Sequence, residues 1–131
     1  SFRQIFRTYL IYLQLFQNMK DIIDYFDFEK VDIRIGTIIE AEENNSLKKP
    51  SIVLKIDFGK QIGIRKSSAQ LKKNYLANNL INKQVAAVVN FEPKQIGNMI
   101  SEVLVVGFPD DQNEPVLISP DFKIKNGGKL F

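Results

Sequence analysis

From residue 33 onward, apolar residues recur at every second position in runs that are short and closed by turn formers. That pattern constrains the chain most, because a period of two belongs to strands with one buried face, not to helices. The run "IRIGTIIEAEE" predicts a first strand, with Gly36 inside it as a bulge or sharp bend. "SIVLKIDFG" predicts a second, with Ile52, Leu54 and Ile56 on one face, and Gly59-Lys60 predicts the hairpin turn after it. "QIGIRKSS" predicts a third, with Ile62 and Ile64 inward. "SAQLKKNYL" then predicts a short helix capped by Ser67 or Ser68. "KQVAAVVNF" and "SEVLVVGF" predict a fourth and a fifth strand, and "EPVLISP" a short edge strand that its flanking prolines permit. Ahead of the first strand, "DFEKVD" predicts a short turn capped by Asp27 or a residue near it, and "NNSLKKP" predicts a loop.

Five strands with one helix between the third and the fourth is the layout of an OB-fold barrel. The expected class is therefore mainly β: a five-stranded OB-fold barrel with a short helix between strands 3 and 4, plus extra N- and C-terminal elements. Residues 1–18 are set apart as an N-terminal extension, either upstream of a natural start at Met19 or an accessory helix, and residues 19–131 form the expected domain. Arg3 and Arg7 precede an apolar run from Tyr9 to Phe16, as in a signal sequence. No small-residue cleavage site follows, and the run is too short to cross a bilayer, so no membrane insertion is expected.

Composition excludes several chemistries. The chain has no Cys and no His. A thiol nucleophile, a Ser-His-Asp site, a disulfide framework and Cys- or His-based metal sites are therefore ruled out within one chain. No carboxylate pair or phosphate-cradling glycine loop stands out, so neither an enzyme nor a cofactor or metal is expected. Cysteine absence fits a reducing, cytoplasmic setting.

The net charge is only +3, but it is unevenly spread. Residues 48–94 carry ten bases against two acids, a net +8, whereas residues 19–47 carry three bases against eight acids, a net −5. A middle so biased is either a polyanion-facing surface or a solvated lysine face.

Beyond pattern and charge, the blocks themselves are distinctive. "DFEKVDIRIGTIIEAEE" resembles the opening of the tRNA-binding OB domain, which occurs free-standing and appended to methionyl- and phenylalanyl-tRNA synthetases. "IDFGKQIGIRKSSAQL", "LINKQVAAVVNFEPKQI" and "SEVLVVGF" narrow the resemblance to the CsaA branch of that family. Its members are small bacterial and archaeal homodimers described as export-related chaperones. The resemblance implies a homodimeric chaperone that binds unfolded or pre-export polypeptides and has tRNA-binding capacity. The alternative is a free-standing tRNA-binding protein acting in translation.

The resemblance also nominates residues. Asp32-Ile33-Arg34 with Gly36 matches the family's D-I-R-x-G segment, and Arg34 either meets a ligand or pairs with Asp32 or Glu29. Arg65-Lys66-Ser67-Ser68 matches the exit of the third strand, with Ala69 where many relatives have Gly. Asn90, Pro93 and Lys94 match the N-x-x-P-[RK] loop, Gln95 stands at its second basic position, and Ser101 matches the serine after it. Asn90 and Ser101 could instead pair with loop backbone groups. The loop's usual Gly falls one place early, at Gly97, which leaves Asn98 to take left-handed angles. Ser101-Glu102-Val103-Leu104 departs from the general Ser-x-Gly-Met pattern and follows the CsaA branch. Lys72 and Lys73, on the predicted helix, either track phosphates or face solvent. Phe58 and Phe91 either stack on bases or pack in the core. Phe108, Phe122 and Phe131 are candidates for a dimer surface.

Overall fold

The computed structural model describes residues 1–16, 19–46 and 48–131, with side chains of only the first ten residues in the opening segment. The end of the predicted 1–18 segment and Leu47 of the predicted loop lie outside the described residues. The chain divides into two compact units, residues 1–30 and 31–131.

The first unit holds two helices, α1 (Phe2–Phe16) and α2 (Tyr25–Glu29). In α1 the Phe2 and Phe6 rings stack one turn apart, with centroids 6.3 Å from each other. Asp24, in extended backbone, opens α2, and its carbonyl accepts the Asp27 N–H at 2.9 Å. The cap is thus Asp24, a near neighbour of Asp27, and Asp27 lies in the first helical turn, where a carboxylate is favoured by the helix dipole.

The second unit is an OB-like β-barrel. Its strands are β1 (Ile33–Asn44), β2 (Ser51–Asp57), β3 (Ile64–Ala69), β4 (Gln84–Val88), β5 (Lys94–Ile96), β6 (Met99–Ser101), β7 (Leu104–Val105), β8 (Gly107–Pro109) and β9 (Pro115–Leu117), with helix α3 (Ala77–Leu80) before β4. The main sheet is antiparallel in the order β3-β2-β1-β4-β7. The first half of β1 pairs with β4, from Ile33–Val88 to Thr37–Gln84. Its second half pairs with β2, from Thr37–Asp57 to Asn44–Ser51, across an irregularity between Ile38 and Glu40. That one long strand serves two neighbours is what curls the sheet.

Two segments close the barrel. The outer edge of β3 receives residues 101–103: Glu102 and Val103 donate their N–H groups to the Lys66 carbonyl at 2.8 and 3.3 Å. The free edge of β1 receives residues 127–130: Gly127 N–H donates to Ile35 O at 2.7 Å, Ile35 N–H to Gly128 O at 3.0 Å, and Leu130 N–H to Ile33 O at 2.9 Å. Inside, Ile38, Ile52, Leu54, Ile56, Phe58, Leu71, Leu80, Val85, Ala87 and Val103 form the core. Ile52, Leu54 and Ile56 are fully buried, as the alternation predicts, each stabilising the fold by about 1.5–3 kcal/mol.

Local expectations differ from the structure at five places. Gly36 is not at the bulge; a Cβ there would lie 2.5 Å from Ile56 Cγ2 and 2.8 Å from the Phe58 ring, so close packing demands the glycine. The turn after β2 is a wider loop over residues 59–63, closed by Gly63 N–H to Gly59 O at 2.7 Å, with φ of 87° at Gly59 and 81° at Gly63. The loop shifts the phase of β3: Ile62 packs against the core, but Ile64 points out and is 54% exposed. The predicted helix at 68–76 does not form, because β3 runs through Ser67 and Ser68, paired with Leu54 and Val53. A turn follows at Leu71–Tyr75, and the helix is α3, still between the third and fourth strands. The predicted fifth strand splits into β7 and β8 at Val106, whose N–H donates to Ala86 O and whose carbonyl takes the Ile118 N–H. The predicted edge strand is β9, paired with β8.

Candidate nucleic-acid and peptide interface

The loop 90–100 is a hairpin, β5 against β6, with Lys94 opposite Ser101 and Ile96 opposite Met99. A two-residue hairpin turn with positive φ only at its first central position takes Gly there, and Gly97 has a φ of 59°. The left-handed residue is therefore Gly97, not Asn98. Gln95 braces the turn, its Nε2 donating to Gly97 O at 2.7 Å.

This hairpin is fastened to β3. Ser101 Oγ accepts the Ser68 N–H at 3.1 Å and donates to Val103 O at 3.4 Å, and Ser101 is buried. Ser68 Oγ donates to Ser51 Oγ at 3.1 Å. Ser67 is 1% exposed and faces the core beside Leu54, so its hydroxyl is not on the surface. Arg65 and Lys66 bracket the same seam. Arg65 Nη1 stands 3.9 Å from Glu102 Oε2, and Lys66 N–H donates to Glu102 Oε1 at 3.1 Å while its side chain is exposed. One rim thus gathers Arg65, Lys66, Ser68, Lys94, Gln95 and Ser101. Two cations of that rim, Lys66 and Lys94, make no ion pair among the described residues. Exposed apolar groups flank them: Ile100 on β6, Leu104 on β7 and Phe91.

Arg34 and Asn90 meet elsewhere, at Asp32. Arg34 grips both carboxylate oxygens, Nε to Oδ1 at 2.6 Å and Nη2 to Oδ2 at 3.3 Å, and its Nη1 donates to Gly127 O at 3.0 Å. Of the partners the sequence offered, Asp32 holds it, as a bidentate pair with little exposure. Asn90 Oδ1 accepts the Asp32 N–H at 2.9 Å. Arg34 also lines a cleft of about 730 Å³ with Phe58, Lys60, Ile62 and Lys125. Phe58 is a core residue, 1% exposed, and Phe91 is surface-exposed.

Lys72 and Lys73 lie in the turn after β3, not on a helix. Lys72 Nζ reaches Asn45 Oδ1 at 2.8 Å and Glu43 Oε2 at 3.3 Å, and Lys73 is exposed. They line clefts with Lys49 and Lys83, which only their contribution to the charge bias could have flagged. On the far sheet Phe108 and Val116 face each other across β8 and β9, both exposed, as is Phe122. In the loop between those strands the Glu114 backbone N–H, the Asn74 amide and the Gln112 backbone N–H hold the Asp110 carboxyl below the usual carboxylate range. Among the described residues no three carboxylates converge to hold a metal ion, and no helix is long and apolar enough to cross a membrane.

Comparison with known proteins bears on family and fold. Residues 33–129 match the family profile described as a putative tRNA-binding domain. The structure of the chaperone CsaA from Bacillus anthracis superposes with a TM-score of 0.80 at 41% identity, over 85% of this chain and 100% of that one. The CsaA chaperone protein from Picrophilus torridus superposes at 0.78 with 47% identity, over 84% of this chain and 100% of that one. The methionine–tRNA ligase of Pyrococcus horikoshii is 37% identical over 108 residues, which are 82% of this chain but 14% of the ligase. The chain therefore spans about one seventh of the length of that relative.

Proposed function

The chain belongs to the tRNA-binding domain family, in its CsaA-type branch, and from that premise we propose that it is a homodimeric chaperone for unfolded or pre-export polypeptides that also binds tRNA. The observation that carries the reading is the likeness to two CsaA chaperones over the whole length of both, at 41% and 47% identity. The chain acts in the cytoplasm as a binding module and not as an enzyme, with residues 1–18 accessory to a domain of residues 19–131.

The rim around β3 and β6 is the proposed contact surface. Arg65, Lys66 and Lys94 supply charge for phosphates, while Ile100, Leu104 and Phe91 supply apolar area for a flexible chain or an unstacked base. Asn90, Arg34, Ser68 and Ser101 hold the rim and its neighbouring strands in place through the bonds described above. Phe108 and Val116 are proposed as part of a two-fold dimer surface, since aromatic anchors are enriched in such patches. Two copies would present two rims, which favours long flexible partners through avidity.

The test is a salt series of unfractionated tRNA binding, with a denatured client protein titrated in parallel. The reading expects tRNA affinity to fall steeply with salt and client affinity to persist. Arg65→Ala and Lys94→Ala should each lower the salt slope by roughly 0.7–0.9 without loss of folding. Client binding absent at every salt, with tRNA bound tightly, would favour a free-standing tRNA-binding protein instead. Light scattering at tens of micromolar checks the dimer, and a monomeric mass refutes it.

A further inference from the structure

Lys72 and Lys73 form the common wall of two clefts. One, about 540 Å³, also takes in Lys49; the other, about 420 Å³, runs on to Lys83. Lys83 is in turn the wall shared with a third cleft, about 350 Å³, which reaches Lys123. Five lysines thus line three clefts that share lining residues, a lysine-walled groove in which Glu114 is the single acid among the described residues. Lys72 is partly neutralised by Glu43, but Lys49, Lys73, Lys83 and Lys123 have no carboxylate within ion-pair distance among the described residues.

The middle of this groove is held rigidly. Asn82, with a φ of 74°, takes a left-handed conformation that Asn tolerates better than most residues. Its N–H donates to Ile38 O at 2.7 Å, and the Lys83 carbonyl accepts the Ile38 N–H at 2.9 Å. The backbone on both sides of the Asn82–Lys83 bond is therefore clamped to β1, which fixes where Lys83 stands between two clefts. Among the described residues the groove has no exposed aromatic wall. Tyr75, the one ring that lines it among the described residues, is half-buried, and its hydroxyl accepts the Leu117 N–H at 2.9 Å.

We propose that this lysine groove is a second nucleic-acid contact, separate from the rim of β3 and β6, that grips the phosphodiester backbone of RNA without reading its sequence. Lysines spaced along a groove neutralise successive phosphates, and without a stacking platform the bases contribute nothing there. The inference rests on the tRNA-binding half of the function proposed above.

The experiment compares the full chain, a Lys73→Gln/Lys83→Gln/Lys123→Gln variant, the matching triple Lys→Arg variant and an Arg65→Ala/Lys94→Ala variant. Each is titrated with unfractionated tRNA across a salt series, with circular dichroism as the folding control. The Gln triple should lower the salt slope by about 2–3 and weaken binding at 0.1 M salt by at least about tenfold, while the Arg triple should bind like the parent. Loss of binding in the Gln triple alone sustains the groove and removes the rim; loss in the Arg65/Lys94 variant alone does the reverse. Losses in both sustain both sites. An unchanged slope in the Gln triple overturns the groove. Binding of polyglutamate by the parent without any binding of tRNA overturns it too, in favour of an acidic polypeptide.

Discussion

Ser101→Ala separates fastening from ligand contact. The Ser101 hydroxyl accepts the Ser68 N–H at 3.1 Å and reaches Val103 O at 3.4 Å, and the residue is only 8% exposed. Truncation leaves the half-buried Ser68 N–H without its partner. The penalty for such an orphaned donor is about 1–3 kcal/mol, and partial exposure of Ser68 places it in the lower half of that range. The bond to Val103 is long and adds little. With an ordinary urea dependence, the unfolding midpoint should fall by roughly 1 M. The assay is urea denaturation followed by circular dichroism, with tRNA binding measured on the same preparation in the absence of urea. Folded Ser101→Ala protein should bind RNA nearly as well as the parent. An unmoved midpoint together with a large loss of affinity would refute the reasoning and make the hydroxyl a ligand group.

Three further outcomes follow from the packing. Gly36→Ala should destabilise by about 1–3 kcal/mol in thermal melts, because its methyl group would press on Ile56 and Phe58 in the filled core; Phe58→Leu in the same chain should recover part of the loss. Asp32→Asn removes the carboxylate that grips Arg34, so it should cost about 1.5–3 kcal/mol in urea melts, and a double-mutant cycle with Arg34→Met should show coupling. Asp110, held below the usual carboxylate range first by the Glu114 N–H, lends stability above its unfolded pKa of about 3.9 that is lost as pH falls through the lower folded value. Melts of the parent and of Asp110→Asn should therefore draw together as pH falls below about 4 and meet only below the lower folded value, and a difference constant with pH would rule this out.

The strands with strict alternation were readable, because burial on one face writes itself into every second residue. Ile52, Leu54 and Ile56 are the clearest case, and the helix between the third and fourth strands was expected in the right interval. Its position was misjudged for a physical reason. Ser67 and Ser68 are good caps in isolation, but their backbone groups are taken by β2 on one side and by residues 101–103 on the other. The phase of β3 was misread because nothing in "GKQIG" announces a loop with two left-handed glycines. For Arg34 the sequence left a ligand, Asp32 or Glu29 open as partners; the folded chain pairs it with Asp32, two residues away. The lysine groove was not legible. Lys49, Lys83 and Lys123 come from three distant parts of the chain, and only the folded barrel brings them to clefts that share lining residues.

The bond from Arg34 to Gly127 joins residues 93 apart in sequence, and the neighbouring bonds of residues 127–130 span similar distances. On a ribosome adding about 5–20 residues per second, β1 would wait about 5–20 s for that segment to be made. During that interval the Ile33 carbonyl and the Ile35 amide and carbonyl form an open strand edge on a nascent chain. A protein read here as a guardian of unfinished polypeptides is, for those seconds, one itself, and the rate at which its messenger is translated sets how long it stays so.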